Sequence, residues 1–187
     1  MNIFGIVILF ALVADYILHI LAGALNLTSL RKELPEPFRG TCDPEKYARS
    51  QEYIRINTRF SWITSTVDTI AILVFWFAGG FPALDAFVRS LGLGTILSGL
   101  MFIGVLVALK LLLSLPFDIY DTFVIEERFG FNKTTARTFV LDRMKGLVIG
   151  TALGAPLLAA VLWFFENAGE DAWIYCWAAV TLYSLFI

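Results

Sequence analysis

Phe117–Thr134 reads F-D-I-Y-D-T-F-V-I-E-E-R-F-G-F-N-K-T, and the organisation of the chain turns on it. It lies between two long apolar runs. Four acidic residues (Asp118, Asp121, Glu126, Glu127) and four aromatics before Phe131 crowd into it with one glycine. A stretch of this kind between apolar runs reads as a polar-side turn of a polytopic membrane protein. Gly130 permits the positive φ that ends a helix. Phe129 and Phe131 are expected to anchor the turn in the membrane interface. Glu126 and Glu127, adjacent on a helix, point about 100° apart and are no spaced acid–base pair on one face. Physics alone makes this a capped, anchored turn, and nothing in it demands catalysis.

Outward from it, apolar runs alternate with charged loops. The chain has 187 residues, 58% hydrophobic, with a mean hydropathy of +0.76; soluble domains hold roughly 45–50% apolar residues. The excess comes in blocks of membrane-spanning length. The spans are predicted at about Ile3–Leu25, Trp62–Gly80, Thr95–Leu115 and Leu147–Phe165, with a fifth from near Ala172 to Ile187. The fold class is therefore all-α: a polytopic membrane helical bundle of five transmembrane helices, the fifth truncated, with cytoplasmic helical extensions. A bilayer core takes about 20 residues of helix, and the fifth run holds at most 16, so a longer parent chain is expected. The first run has no preceding Lys or Arg and contains Asp15, which reads as a retained span rather than a signal peptide. A net charge of −2 and the lack of a basic patch interleaved with aromatics exclude a nucleic-acid partner. Cys42 and Cys176 have no C-x-x-C spacing and read as free.

Lysine and arginine orient the bundle. Seven lie in the first loop (Arg31, Lys32, Arg39, Lys46, Arg49, Arg55, Arg59) and five in the third (Arg128, Lys133, Arg137, Arg143, Lys145); the second has only Arg89 and the fourth none. The first and third loops are thus predicted cytoplasmic and the N-terminus outside. In the first loop Pro35, Pro37 and Gly40 mark an irregular stretch. Asp43-Pro44 then reads as an N-cap and first helical proline, opening a helix that runs unbroken to about Phe77. Its charges read as a solvated face or as a docking face for another domain. Leu84, Phe87, Val88 and Leu91 recur at helical spacing and predict a short interfacial helix. Asn132 or Thr134 is expected to cap the helix entering the fourth span, and Pro156 to kink it.

Charges inside a span need a reason. Asp15 and His19 are one turn apart on the same helix face. That spacing suits a shared metal, a proton pair, or a polar stripe facing the bundle interior. A metal needs further ligands and His19 is the only histidine, which favours the stripe. His19, Asp68 and Lys110 lie six, six and five residues from the cytoplasmic ends of their spans, about 8–9 Å inside that face. Three groups at one depth on three helices can meet. Lys110 either pairs with Asp68 or snorkels to the near interface. The sequons at Asn132 and Asn26 read as chance.

The segment F-V-I-E-E-R-F-G-F-N (Phe123–Asn132) resembles the signature of the N-terminal membrane domain of the type 1 CAAX prenyl endopeptidases, integral-membrane zinc metalloproteases. The helix Y-A-R-S-Q-E-Y-I-R-I-N-T-R-F (Tyr47–Phe60), the loop ending in N-K-T, and D-R-M-K-G (Asp142–Gly146) follow in the family's order, so the resemblance covers essentially the whole chain. It implies spans that enclose an intramembrane chamber. It also implies a zinc site, H-E-x-x-H plus a distant Glu, in a domain after the fifth span, acting on prenylated C-terminal peptides or on membrane proteins. This chain has one histidine and no H-E pair, so no zinc ligand or catalytic base carries over. Glu126, Glu127, Gly130, Phe131 and Asn132 carry over as structural or chamber-mouth positions. The resemblance thus implies a single N-terminal membrane domain over residues 1–187, inactive alone and without a cofactor of its own. Its expected partners are the lipid bilayer, its own downstream zinc-bearing catalytic domain and a peptide or membrane-protein substrate, and its expected place is a bacterial inner membrane. A stand-alone membrane scaffold and a small proton-coupled transporter using Asp15, His19, Asp68 and Lys110 are the alternatives.

Overall fold

A computed structural model of the chain describes residues 2–30 and 43–186, and those residues form helices and turns with no strand among them. The irregular stretch expected around Pro35, Pro37 and Gly40, together with Cys42 and the first-loop cations Arg31, Lys32 and Arg39, lies outside the described residues. Helix α1 spans Ile3–Ser29, and the Asn2 side chain caps it by accepting from the Gly5 amide at 2.9 Å. Helix α2 spans Pro44–Phe77, opened by Asp43 accepting from the Glu45 amide at 2.9 Å, with Pro44 in the first turn, as the sequence predicts. Its 34 residues make a rod about 50 Å long, longer than a bilayer core of about 30 Å.

Gly79, at φ 78°, turns the chain into α3, Gly80–Ser90. This is the short helix expected in the second loop, with Val88 buried and Arg89 paired to Asp85 at 2.8 Å. The hydrogen bond from Arg89 to Asp85 holds the guanidinium above its ordinary pKa. Helix α4 spans Thr95–Tyr120, continues as a π-helical turn over Asp121–Glu126 and ends in one α-turn, α5, Glu127–Phe129. The stretch read as a turn from Phe117 is therefore helical through Phe129, and the chain turns only beyond it. The physical reason is tertiary: Ile125 and Phe129, at 4% and 5% exposure, pack against α2, and such burial sustains a helix that propensity alone would end. Helix α6 spans Ala136–Asn167 with Pro156 inside it. Its cap is Thr135, whose hydroxyl accepts from the Thr138 amide at 3.2 Å, and not Asn132 or Thr134. Asn132 instead accepts from the Thr134 amide and shapes the approach. A short 3₁₀ turn, Gly169–Asp171, leads to α7, Ala172–Phe186, at the position of the expected fifth span.

Among the described residues four helices are long and apolar enough to cross a membrane: Ile3–Ser29, Pro44–Phe77, Thr95–Phe129 and Ala136–Asn167. Most large apolar side chains point outward, the arrangement expected when lipid, rather than water, is the solvent for those faces. The chain forms two compact units, Met1–Phe81 with Lys110–Thr134, and Pro82–Leu109 with Thr135–Ile187. In the first, α1 lies along α2. Tyr16 shares a 2.9 Å hydroxyl bond with Thr66, and a Cβ on Gly23 would stand 2.5 Å from Trp62 Nε1, so the glycine is what allows the indole its place. In the second, a Cβ on Gly99 would stand 2.7 Å from Leu162 Cδ1, and the Phe164 and Tyr175 rings join α6 to α7 edge-on at 6.2 Å.

Candidate functional site

Along α2, Asn57, Ser61, Thr64 and Asp68 follow at intervals of four, three and four residues, which places them on one helix face. Facing them from the end of α4 and the π turn are Lys110, Ser114, Asp118 and Asp121. A cavity of about 330 Å³ separates the two rows and is flanked by Phe60 and Phe117. Lys110 Nζ crosses it to Asp68 Oδ2 at 2.5 Å. Of the two open readings of Lys110, the structure has the pair. Removing either partner would leave a charge without its counter-ion in a segment surrounded by hydrocarbon. Asp121 Oδ1 is buried in this wall with no hydrogen-bond partner, which makes the acidic end of the cavity its least satisfied part.

A second cavity, about 380 Å³, opens between α1 and α2, lined by His19, Gly23, Asn26, Asn57, Ser61 and Trp62 among others. His19 Nε2 lies 3.1 Å from Ser61 Oγ, while Asp15, a turn away, is exposed. Of the four titratable residues read inside the spans, then, Asp68 and Lys110 come together; His19 lines the neighbouring cavity, and Asp15 joins neither. Asn57 and Ser61 border both cavities.

The loop that carries the resemblance is held onto the N-terminal part of α2. Gly130, at φ 75°, closes the helix with two bonds, Phe131 N to Glu126 O at 2.9 Å and Gly130 N to Glu127 O at 3.0 Å. These are the pair of contacts that a glycine in the left-handed region makes possible. The turn brings Phe131 beside Phe129, and the Tyr53 ring meets both edge-on, at 5.4 Å to Phe129 and 4.9 Å to Phe131. Phe129 is therefore a core residue under Tyr53 and not the interface anchor expected of it. Arg128 pairs with Glu52 at 2.9 Å, and its carbonyl accepts from Arg49 Nη2 at 3.3 Å. Asn132 donates to Glu127 Oε2 at 3.0 Å. Further along the same helix, Phe117 and Tyr120 meet Phe60 at 6.2 and 5.2 Å.

A zinc protease needs histidines one helical turn apart with a carboxylate base between them. The residues here do not fit that group. His19 is the sole histidine, and among the described residues no three of His, Cys, Asp and Glu are placed to hold a metal. What the geometry defines is a helical membrane domain with a polar face of α2 lining a cavity and the Glu127–Asn132 loop clamped to the same helix.

Residues 24–187 match the family described as the CAAX prenyl protease N-terminal region of five membrane helices, and the chain belongs to that family as its N-terminal membrane domain. It is 32% identical over 182 residues to the CAAX prenyl protease 1 homolog of Arabidopsis thaliana, a match covering 93% of this chain and 43% of the relative. With CAAX prenyl protease 1 of Saccharomyces cerevisiae the identity is 31%, over 74% of this chain and 33% of the other. The crystal structure of S. mikatae Ste24p superposes on 99% of this chain and 44% of its own length, with a TM-score of 0.86 and 25% sequence identity. The chain thus spans less than half the length of these relatives.

Proposed function

We propose that this chain is the membrane-embedded part of a zinc metalloendopeptidase of the CAAX prenyl protease kind. In this reading it contributes a wall of an intramembrane chamber and docks a catalytic domain that carries the zinc ligands outside these residues. One observation carries the proposal: the ion-paired polar face of Asn57, Ser61, Thr64, Asp68 and Lys110 fronts a cavity within two helices of membrane-spanning length. Polar groups held at that depth favour a water-accessible interior over a lipid-filled one. Peptide bonds of prenylated or membrane-bound substrates would reach the catalytic domain through such an interior. Glu126, Glu127, Gly130, Phe131 and Asn132 act in this reading as the brace at the chamber mouth. Asp15, His19, Asp68 and Lys110 supply its polarity.

The orientation that goes with the proposal puts the N-terminus outside and the first and third loops in the cytoplasm, from the asymmetry of Lys and Arg. The relatives named above are eukaryotic, and no residue of this chain distinguishes a bacterial inner membrane from another. Two experiments test the reading. A chimera carrying residues 24–187 in place of the matching segment of the S. cerevisiae relative is expected to keep proteolysis of that protein's own substrate. A chimera that reaches the membrane at normal levels yet cleaves nothing would contradict the chamber and docking roles. In intact cells an impermeant thiol reagent should label Asp85→Cys and miss Cys42, and the reverse labelling would overturn the orientation.

A further inference from the structure

The helix Thr95–Phe129 keeps one face on α2 for most of its cytoplasmic-side length. Lys110 meets Asp68, Phe117 and Tyr120 meet Phe60, and Phe129 meets Tyr53. An uninterrupted α-helix cannot do this with these residue numbers. At about 100° per residue, the seven residues from Lys110 to Phe117 bring the side chain back to within ~20° of where it began. The nineteen from Lys110 to Phe129 overshoot five turns by about 100°. Phe129 would then point past α2, and Arg128 and the Gly130 turn with it. If one residue is left out of the count, the separation becomes eighteen, which is five whole turns.

The π turn Asp121–Glu126 lies between the two groups of contacts. Its bonds run from residue i to i+5 rather than i+4, so it takes in one residue more than the α-helix it interrupts. We infer that this turn is a phase-resetting joint: its surplus residue swings the Ile125–Asn132 brace back onto α2 while Lys110 stays turned toward Asp68. Ile125 and Phe129, the two buried apolar residues of this helix, both fall in the reset part. Upstream of the joint, Lys110, Ser114 and Phe117 share the cavity-facing side with Asp121, the joint's first residue. Neither set could be satisfied by a continuous α-helix without rotating the other away. The joint follows from contact geometry and does not depend on the protease reading.

The test exploits an asymmetry. Deleting one residue from the turn should convert it to α-helix and leave everything after it in phase, whereas inserting one should rotate the brace by about 100°. The full chain, with Cys42→Ser and Cys176→Ser, is expressed in membranes carrying either Tyr53→Cys with Phe129→Cys or, as a reporter upstream of the joint, Phe60→Cys with Phe117→Cys. Each pair is joined with a short bis-methanethiosulfonate. With Thr122 deleted, both pairs are expected to cross-link within twofold of the parent. With an alanine inserted after Thr122, the 53–129 pair should fall at least tenfold while the 60–117 pair persists. Loss of the 53–129 cross-link on deletion would overturn the joint, whether or not the 60–117 pair survives. Retention of the 53–129 cross-link after insertion would also overturn it, because the helix would then tolerate any phase.

Discussion

The end of the helix Thr95–Phe129 and the first half of α6 are built from the same kinds of residue and end up in opposite states. Ile125 and Phe129 retain 4% and 5% of their surface, while Leu147, Val148 and Leu153 retain 52%, 63% and 72%. Every residue from Val140 to Gly154 is exposed, on all sides of the helix. The difference is one of partners. α2 offers Tyr53, Glu52 and Arg49 to the loop residues, whereas along this part of α6 Lys145 pairs within its own helix, with Asp142 at 3.8 Å. The glycines divide in the same way. Gly23 and Gly99 each have a side chain where a Cβ would stand, but Gly146, Gly150 and Gly154 have nothing within 4 Å. In membranes, close glycine contacts let helices approach, while an open glycine face meets lipid unless another helix lies against it.

That contrast can be broken by mutation, and the largest effect is expected at the clamp. Phe129→Ala should cost about 3–5 kcal/mol of stability, the usual price of emptying a buried aromatic site. Leu153→Ala should change stability by less than about 0.5 kcal/mol, both read as thermal shifts in detergent. Equal losses at the two positions would erase the distinction. Next, Asp68→Asn and Lys110→Met should each destabilise by roughly 1–3 kcal/mol, and the double change by less than either alone, since a single change strands one charge. Strictly additive losses would mean the pair is solvated and contributes nothing. Gly23→Ala should cost about 1–3 kcal/mol through overpacking against Trp62. Gly150→Ala should be neutral or slightly stabilising, by up to ~1 kcal/mol of helix propensity. The smallest effect is Tyr16→Phe, about 0.5–1.5 kcal/mol for the lost bond to Thr66; no change at all would mean that α1 is held by its apolar contacts alone.

The parts of the fold that sequence makes legible are those with local causes. Asp43-Pro44 opens α2, Gly130 closes a helix through its own backbone freedom, and apolar runs of membrane length give the spans. The matching depths of Asp68 and Lys110 make their pairing one of two readings, with snorkelling the other, and the structure has the pair. What sequence left hidden depends on contacts distant in the chain. The acidic and aromatic residues and the glycine of Phe117–Thr134 read as a turn, because no local feature signals the burial of Ile125 and Phe129 that keeps the chain helical through Phe129. Phe129 looked like an interface anchor because nothing local announces that Tyr53, 76 residues earlier, lies across from it. The cavity wall was nevertheless readable in principle. Asn57, Ser61, Thr64 and Asp68 form a polar stripe at helical spacing that runs on into an apolar span, and a solvated face has no reason to continue to that depth.

The central claim is that these residues form a membrane domain whose chemistry is completed elsewhere, and metal analysis of the purified chain coupled to a peptide-cleavage assay tests it most directly. The sole histidine is exposed and beside Ser61, and among the described residues no three of His, Cys, Asp and Glu are placed together as the roughly three protein ligands of catalytic zinc. The expected result is well under one zinc per chain and no cleavage above background. Chelator-sensitive cleavage by this chain alone, abolished by His19→Ala, would contradict the claim and place an active site on α1.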